Sequence, residues 1–386
     1  MAEKKLSNYT AEAPEHAYLE DPAALPAADR ERMLGVGVDT CEARRAGTFI
    51  QVDHSVVHRG AQQDGIEIMG TAEALARYPW AGEYIWRALD AHQDEFTAYA
   101  ADRSRDGYFI RALPGVRAVF PVQACLYLAR ERLAQAVHNI VIVEEGAELE
   151  ILSGCTSAPH VLTGLHLGIS EFYVKKGGRL TFTMIHRWAE DIEVRPRTAT
   201  VVEEGGVFLS NYVCLHPVRM LQTCPVAYLQ GEGAVARFNT ILVAPPGSFM
   251  DVGSRVFLAG ARTRAELIAR TVTTGGKIVN RGLLVGEKPG VRAHLECRGL
   301  ILAPEGYIRA IPELEARVAG AELSHEAAVG KIAPEEIEYL MARGLDEDEA
   351  TATIVRGFLN VRLEGLPPGL EAEIDRVLET GKAAAM

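Results

Sequence analysis

The central part of the chain alternates between short apolar segments and turns that contain glycine or proline. "KKGGRLTFTMI" and "TTGGKIVNRGL" are typical of these segments, which are rich in β-branched residues. Their glycines recur at roughly fourteen to sixteen residues, or about twice that in the early part of the region, and this regularity indicates a structural repeat. The pattern predicts a series of strands, each about five residues long, between regular turns.

The turns indicate how these strands are connected. The dipeptides Asn-Gly and Asp-Gly are typical of tight hairpins, and here Asp64-Gly65 and Asp106-Gly107 lie outside the repeat, which disfavours an antiparallel meander. We therefore predict a mainly β protein with a right-handed parallel β-helix core. Each coil would span roughly 28 to 30 residues, and equivalent strands would stack on one another. A β-sandwich is the alternative.

Helical patterns flank the repeat on both sides. The region before it combines helical segments with some extended chain. After the repeat, "APEEIEYLMARG" and "DEDEATATIVRGFL" predict two helices, and the spacing of Asp346 and Glu349 predicts a capping box on the second. A third short helix is predicted to end near Gly381. The resulting division is an N-terminal mostly helical region, a β-helix core and a C-terminal helical domain, at residues 1–112, 113–323 and 324–386.

Composition excludes several classes of protein. The chain has 386 residues with 48% hydrophobic residues, which suits a globular protein with a large core. No apolar run is long enough for a membrane span, and the N-terminus has no signal-peptide core, so we expect a cytoplasmic protein. A net charge of −12 disfavours nucleic acid as a partner. The absence of a P-loop and of a dinucleotide fingerprint indicates that the chain is not itself an ATPase or a dehydrogenase.

The six cysteines are scattered, without any C-x-x-C pair, so a zinc ribbon is not indicated. Cys297 lies 28 residues before His325 and 29 before Glu326, which is about one coil. Stacking would bring a thiol, an imidazole and a carboxylate together, a mixture of soft, borderline and hard ligands that suits iron. The alternative is that Cys297 belongs to the core and that His325 and Glu326 decorate the end of a strand.

Two stretches resemble the SufB/SufD family, whose members are scaffold components of the SUF iron–sulfur cluster assembly machine. "SHEAAVGKIAPEEIEYLMARGLDEDEATATIVRGFL" contains the family's H-E pair, its K-I dipeptide, its "YL-x-x-R-G" helix and its acidic second helix, in that order. "HNIVIVEEGAELEILSGCTSAP" resembles the start of the family's β-helix, including the "L-x-G-C-T" around Cys155. The resemblance covers roughly residues 115–360.

The resemblance implies a function for the candidate residues. Cys297 stands one coil before the H-E pair, as in SufB-type chains, so the chain is interpreted as SufB-like or as an undivided SufB/D type. Cys297, His325 and Glu326 would hold iron and a transiently assembled iron–sulfur cluster where two chains pair, most simply as a homodimer. The C-terminal helices would dock a SufC-type ABC ATPase. A sulfur donor and acceptor apoproteins are the further partners.

Two alternatives and one departure accompany this interpretation. The first alternative is a structural SufD-type partner without its own cluster, and the second is a β-helix carbohydrate-active enzyme. The departure concerns a strand in the family's sulfur-transfer path, where His186 stands in place of a glutamine common in SufB chains. The sequence leaves open whether Cys155, Cys214 or Cys224 takes part.

Overall fold

The computed structural model describes residues 5–41 and 44–359. The third predicted C-terminal helix, ending near Gly381, lies outside these residues. Short 3₁₀ helices cover Leu6–Asn8, Pro22–Ala24 and Pro79–Tyr84. The α-helices are α1 (Ala27–Leu34), α2 (Thr71–Arg77), α3 (Glu95–Arg103), α4 (Pro334–Met341) and α5 (Glu347–Leu359).

The strands occupy most of the remaining chain. They are β1 (Gly47–Val52), β2 (Ser55–Ala61), β3 (Ile66–Gly70), β4 (Tyr108–Ala112), β5 (Val122–Leu128), β6 (Ala134–Val143), β7 (Glu148–Ser157), β8 (Thr163–Val174), β9 (Arg179–Arg187), β10 (Asp191–Val194), β11 (Arg197–Val202), β12 (Val207–Cys214), β13 (Met220–Thr223), β14 (Val226–Leu229), β15 (Val235–Ala244), β16 (Phe249–Leu258), β17 (Arg264–Thr273), β18 (Lys277–Gly286), β19 (Arg292–Ile301), β20 (Tyr307–Ala316) and β21 (Glu322–Gly330).

The chain winds alternately through two sheets, which confirms the predicted parallel β-helix. One sheet has ten strands in the order β2-β1-β5-β7-β9-β12-β15-β17-β19-β21, and the intervening strands form a second, eleven-stranded sheet. From β5 onward, every strand pairing in the described residues is parallel. Many strands have ten residues rather than the five expected, because one strand continues along a whole side of a coil.

Coil length is nearly constant along the core. Arg264 pairs with Arg292, 28 residues later, and Glu148 pairs with Arg179, 31 residues later. Both coils therefore lie close to the predicted length. The turns between strands hold glycines with positive φ, such as 66° at Gly146 and 69° at Gly233. Nothing surrounds the missing Cβ at these two positions, so the left-handed backbone, and not crowding, favours glycine there.

Apolar side chains from both sheets fill the inside of the β-helix. Phenylalanine rings stack along its axis, with 6.1 Å between the ring centroids of Phe172 and Phe208 and 5.6 Å between those of Phe208 and Phe238. Alternate residues face inward, so strands such as β16 switch regularly between buried and half-buried positions. Repeated stacking of similar side chains from coil to coil therefore replaces a single globular core.

The N-terminal region, up to Ala112, contributes strands as well as helices. β1 and β4 each add a parallel strand to one of the two sheets. β2 and β3 then pair with β1 and β4 as antiparallel edge strands. The segment around Tyr18 covers β2, since the amide of Leu19 donates to the carbonyl of Val57 at 2.7 Å. This end of the β-helix is thus covered by the chain's own N-terminal segment.

A buried carboxylate holds the loop that precedes α3. Glu171 on β8 accepts hydrogen bonds from the backbone amides of Trp86, Ala88 and Leu89, and His138 lies 2.9 Å from it. These donors satisfy a carboxylate that has no exposed surface. The contact fixes the N-terminal region against the outside of the eleven-stranded sheet.

The two C-terminal helices follow the last strand directly. The predicted capping box is confirmed, because the amide of Glu349 donates to Asp346 at 2.7 Å and the amide of Asp346 donates to Glu349 at 3.1 Å. α5 packs Val355 and Leu359 against the outer face of the ten-stranded sheet. Among the described residues, no helix combines the length and apolar character needed to cross a bilayer.

The stacked phenylalanines should dominate the stability of the core. Phe208→Ala removes a ring that is almost completely buried between two others, and we expect it to cost about 3–5 kcal/mol of unfolding free energy. The measurement is the midpoint of chemical denaturation. Phe257→Ala, on a half-buried ring that stacks on Tyr228 outside the core, is the matched control and should cost clearly less. Equal effects would contradict this account of the core.

Candidate functional site

The last two strands of the ten-stranded sheet carry all three candidate ligands, with Cys297 on β19 and His325 and Glu326 on β21. In the structure Cys297 pairs with Ala327, and His325 pairs with Leu295. The offset of this coil is 30 residues, at the upper end of the predicted 28 to 30, so His325 lies two residues before the direct partner of Cys297 on β21. The reason is the turn at 302–306, which has five residues where the equivalent turn one coil earlier, 274–276, has three.

A shift of two residues keeps both side chains on the same face of the sheet. Cys297 and His325 are diagonal neighbours on the inward face, and strand spacing and rise place their Cα atoms about 8 Å apart. Glu326, next to His325 in sequence, points to the opposite face. The structure thus brings the thiol and the imidazole together and separates the carboxylate from them.

Cys297 is a buried thiol, with 3% of its surface exposed. Burial raises the pKa of Cys297 to about 11, and the neighbouring charge of Glu296 acts in the same direction while Arg270 opposes it. The thiol is therefore protonated near neutral pH and protected from oxidation. Only a change that admits a metal ion or another cation would convert it to a thiolate ligand.

His325 lies at the end of the β-helix, which the described residues leave uncovered. Within residues 5–41 and 44–359, β21 pairs on one side only, with β19, and its residues are almost all exposed. Apolar side chains are exposed near the same end, with 39% of the surface of Tyr307, 36% of that of Leu314 and 41% of that of Val329 accessible. An unpaired strand beside exposed apolar groups is typical of a surface that another chain covers.

Glu326 belongs to a network of charges on the outer face. Arg298 contacts Glu326 at 2.9 Å and Glu296 at 2.6 Å, and Arg270 contacts Glu296 at 2.8 Å. Glu326 would have to leave Arg298 in order to bind iron. Within the described part of the chain, no three side chains of His, Cys, Asp or Glu converge closely enough to hold a metal ion. The role of the three residues as ligands stays a prediction.

A second group of thiols lies deeper inside the β-helix, and the sequence alone did not reveal its arrangement. His186 pairs with Cys155 on one neighbouring strand and with Cys214 on the other, and all three are buried on the inward face. The hydroxyl of Tyr212 lies 2.8 Å from Nδ1 of His186, and Trp188 packs beside the ring. The two coils that create this alignment differ in length, so no single repeat length would have predicted it.

Burial controls the protonation of this second group. It raises the pKa of Cys155 and of Cys214 to about 12 each, and it lowers the pKa of His186 well below its usual value. Nε2 of His186 has no hydrogen-bond partner among the described residues. The group is therefore an uncharged, enclosed polar site with an unused nitrogen.

Narrow cavities lie between Cys297 and the cluster formed by Cys155, His186 and Cys214. One of about 40 Å³ is lined by Tyr212, Phe238 and Ser254 among others, and an adjoining one of about 10 Å³ reaches from Phe238 and Ser254 to Cys297. Each has room for only one or a few water-sized groups. Passage of an atom from Tyr212 to Cys297 through the described interior would thus require side chains to move.

Comparison with known proteins gives this arrangement a context. The family model described as "SUF system FeS cluster assembly, SufBD core domain" matches residues 126–358. An "Iron-sulfur cluster assembly SufBD family protein" from Archaeoglobus fulgidus is 52% identical over 351 residues, covering 91% of this chain and 94% of the relative.

More distant relatives have similar names. A SufBD family protein from Methanothermobacter thermautotrophicus is 47% identical over 373 residues, covering 95% of this chain and 91% of the relative. The "Iron-sulfur cluster assembly protein SufB" of Bacillus subtilis is 29% identical over 344 residues, covering 86% of this chain and 73% of the relative. The matched region contains Cys297, the cluster of Cys155, His186 and Cys214, and nearly all of the two C-terminal helices.

The buried histidines should make the fold sensitive to acid. Burial lowers the pKa of His166 to about 3, so between pH 6.5 and about 3 the unfolded chain binds a proton that the folded chain does not. This group therefore leaves the free energy of unfolding unaffected above pH 6.5. Below pH 6.5 it lowers that free energy by about 1.4 kcal/mol for each unit of decreasing pH. His166→Gln should reduce the loss of unfolding free energy between pH 6.5 and pH 5 by about 2 kcal/mol.

Urea denaturation at several pH values measures this effect. His92→Gln, at an exposed histidine, is the control and should show the same acid loss as the unmodified protein. If His166→Gln left the loss unchanged, the buried imidazole would not be its source.

Proposed function

Because the chain belongs to the SufBD family of iron–sulfur cluster assembly proteins, we propose that it is a SufB-like scaffold. Two chains meet at the uncovered ends of their β-helices, and a nascent cluster is held there as cargo. A SufC-type ABC ATPase binds the C-terminal helices and controls access to the cluster. The observation that carries the proposal is the position of Cys297 and His325, on one inward face of the last two strands at an uncovered end.

The chemistry of Cys297 suits a scaffold. A protonated, buried thiol resists oxidation while the site is empty. Iron binding then drives loss of the proton, because the thiolate is the ligand form and a bound cation lowers the thiol pKa. Two thiols, one from each chain, are fewer than the four cysteines of an ordinary cluster site. A cluster held in this way can be released to an acceptor apoprotein.

Pairing of two chains would complete the site. A second copy placed against the unpaired edge of β21 would cover the exposed side chains and bring another Cys297 and His325 to the same interface. Glu326 joins the ligands only if its ion pair with Arg298 opens, since its carboxylate lies on the outer face. The proposal therefore predicts a site that is assembled by association and by movement of β21.

The C-terminal helices are mechanically connected to Cys297. The ring of Phe358 on α5 lies under the guanidinium of Arg270 at 5.9 Å, and Arg270 bonds Glu296 at 2.8 Å. Glu296 is the neighbour of Cys297 on β19. A force applied to α5 by a bound ATPase would thus reach the strand that carries the thiol through a charged contact on the outer face.

Cluster assembly should depend on Cys297. We expect the purified chain to acquire iron and sulfide under anaerobic reconstitution, with the absorbance and Mössbauer spectra of a cluster, and Cys297→Ser to lose at least about nine-tenths of the bound iron. Cys41→Ser, at an exposed thiol, is the control and should bind as much as the unmodified chain.

The same experiment separates the scaffold from a SufD-type partner. A full cluster on Cys297→Ser would contradict the assignment of this site. If neither protein bound a cluster while both still bound the ATPase, the chain would be a structural partner that needs a second β-helix protein.

ATPase binding should depend on the exposed apolar side chains of α4. Tyr339 and Met341 expose 58% and 43% of their surfaces, and the guanidinium of Arg343 lies over the ring of Tyr339. The double change Tyr339→Ala and Met341→Ala should weaken binding of the ATPase by about tenfold or more, as measured by calorimetry. Tyr18→Ala, at an exposed tyrosine near the N-terminus, is the matched control. An unchanged affinity in the double variant would place the ATPase elsewhere.

A further inference from the structure

A polar recess lies on the outer face of the eleven-stranded sheet, on the opposite sheet from the one that carries Cys297. Its volume is about 330 Å³, and we call it the outer recess. Its lining includes Cys224 together with three arginines and three acidic residues, which are Arg197, Arg255, Arg281, Asp94, Asp251 and Glu313. None of these groups takes part in the cluster site described above.

The backbone explains why a hollow forms at this point. β13 ends at Thr223 and β14 begins at Val226, and both strands pair with the continuous strand β16. Cys224 and Pro225 fill the gap, and Pro225 has no amide hydrogen to continue the ladder. The register places Cys224 beside Gly253 of β16, and Arg281 on the next strand occupies the space where a side chain at Gly253 would lie.

The three arginines differ in how their charges are balanced. Asp94 contacts Arg197 at 2.7 Å, and Asp251 binds Arg281 through two contacts of 2.6 and 3.1 Å. Arg255 has no carboxylate partner among the described residues, and its Nε is buried without any acceptor. The recess therefore contains one guanidinium whose hydrogen-bonding capacity and charge are unused.

An unused guanidinium in a recess is suited to a particular ligand. A buried N–H without an acceptor costs free energy, which a bound acceptor recovers. The planar guanidinium group matches a carboxylate through two parallel hydrogen bonds. A small molecule held by its carboxylate at Arg255 would have its other end near Cys224, since both residues line the same recess.

We propose that the outer recess binds a small carboxylate-bearing thiol compound and that Cys224 exchanges with the disulfide form of that compound. The thiolate of Cys224 attacks one sulfur of the disulfide R–S–S–R, and the sulfur–sulfur bond breaks. A mixed disulfide forms on Cys224, and R–S⁻ leaves and takes up the proton that Cys224 lost. Excess thiol R–SH reverses the exchange. This modification is independent of the proposed scaffold function.

The thiol of Cys224 reacts slowly by itself, so fast exchange requires a disulfide that the recess binds. Burial raises the pKa of this thiol, while Arg255 lowers it. A thiol that is mostly protonated reacts slowly with disulfides in free solution. A carboxylate contact that holds the disulfide next to the sulfur would raise the rate for anionic disulfides alone.

The experiment compares two disulfides of similar size on the reduced, full-length protein. 3,3′-Dithiodipropionic acid carries two carboxylates, and bis(2-hydroxyethyl) disulfide carries none. Intact mass and peptide mapping give the rate of modification at Cys224 and, as an internal reference, at the exposed Cys41. We expect the dicarboxylate to modify Cys224 at least about tenfold faster than the neutral disulfide at equal concentration.

Variants of the arginine test the carboxylate contact itself. Arg255→Gln should remove the preference at Cys224, so that both disulfides react there at the same rate, whereas Arg255→Lys should keep part of the preference. The ratio of rates at Cys41 should not respond to either variant. Equal rates for the two disulfides, an unmodified Cys224, or a preference that survives Arg255→Gln would each overturn the proposal.

A separate measurement keeps this proposal distinct from the scaffold function. Cys224→Ser should acquire as much iron and sulfide in anaerobic reconstitution as the unmodified chain. Loss of the cluster in this variant would contradict the independence of the two sites, whatever the rates of disulfide exchange.

Discussion

Register between successive coils is the constraint on which the rest of this structure depends. Each parallel strand bonds its backbone to the coil before and the coil after, so every inward side chain lies on its counterpart in the neighbouring coil. The phenylalanine stack, the alignment of His186 with Cys155 and Cys214, and the diagonal position of His325 all follow from this one geometry. A change in the length of one turn shifts the position of every residue on the following strand relative to the previous coil.

The sequence predicts those features that are local or that repeat. Positive-φ glycines such as Gly146 and Gly233 mark turns because the backbone there favours glycine whatever surrounds it. The capping box at Asp346 is likewise a short-range interaction. The two extra residues of turn 302–306 illustrate the limit, because an average repeat contains no information about which coil is longer. A displacement of two residues was enough to change the direct neighbour of Cys297 from His325 to Ala327.

The alternation of side chains along each strand decides how much of the candidate site the sequence predicts. Cys297 and His325 occupy the same face because their separation and the coil offset are both even numbers of residues. Adjacent residues on a strand point to opposite faces, so His325 and Glu326 cannot both face the interior, because both lie within β21. The outer recess was invisible in the sequence, since it depends on the break between β13 and β14 lying against the continuous strand β16 of the next coil.

The two ends of the β-helix are unequal. At one end the sheets finish in the antiparallel strands β2 and β3, and the N-terminal segment bonds to β2, whereas at the other end β21 has no partner on its outer side among the described residues. A rod that is adhesive at both ends can polymerise without limit, as fibrils do. A rod with one such end has no surface left after a single two-fold contact. If two chains pair as proposed, the N-terminal covering would stop further growth and limit the assembly to closed pairs.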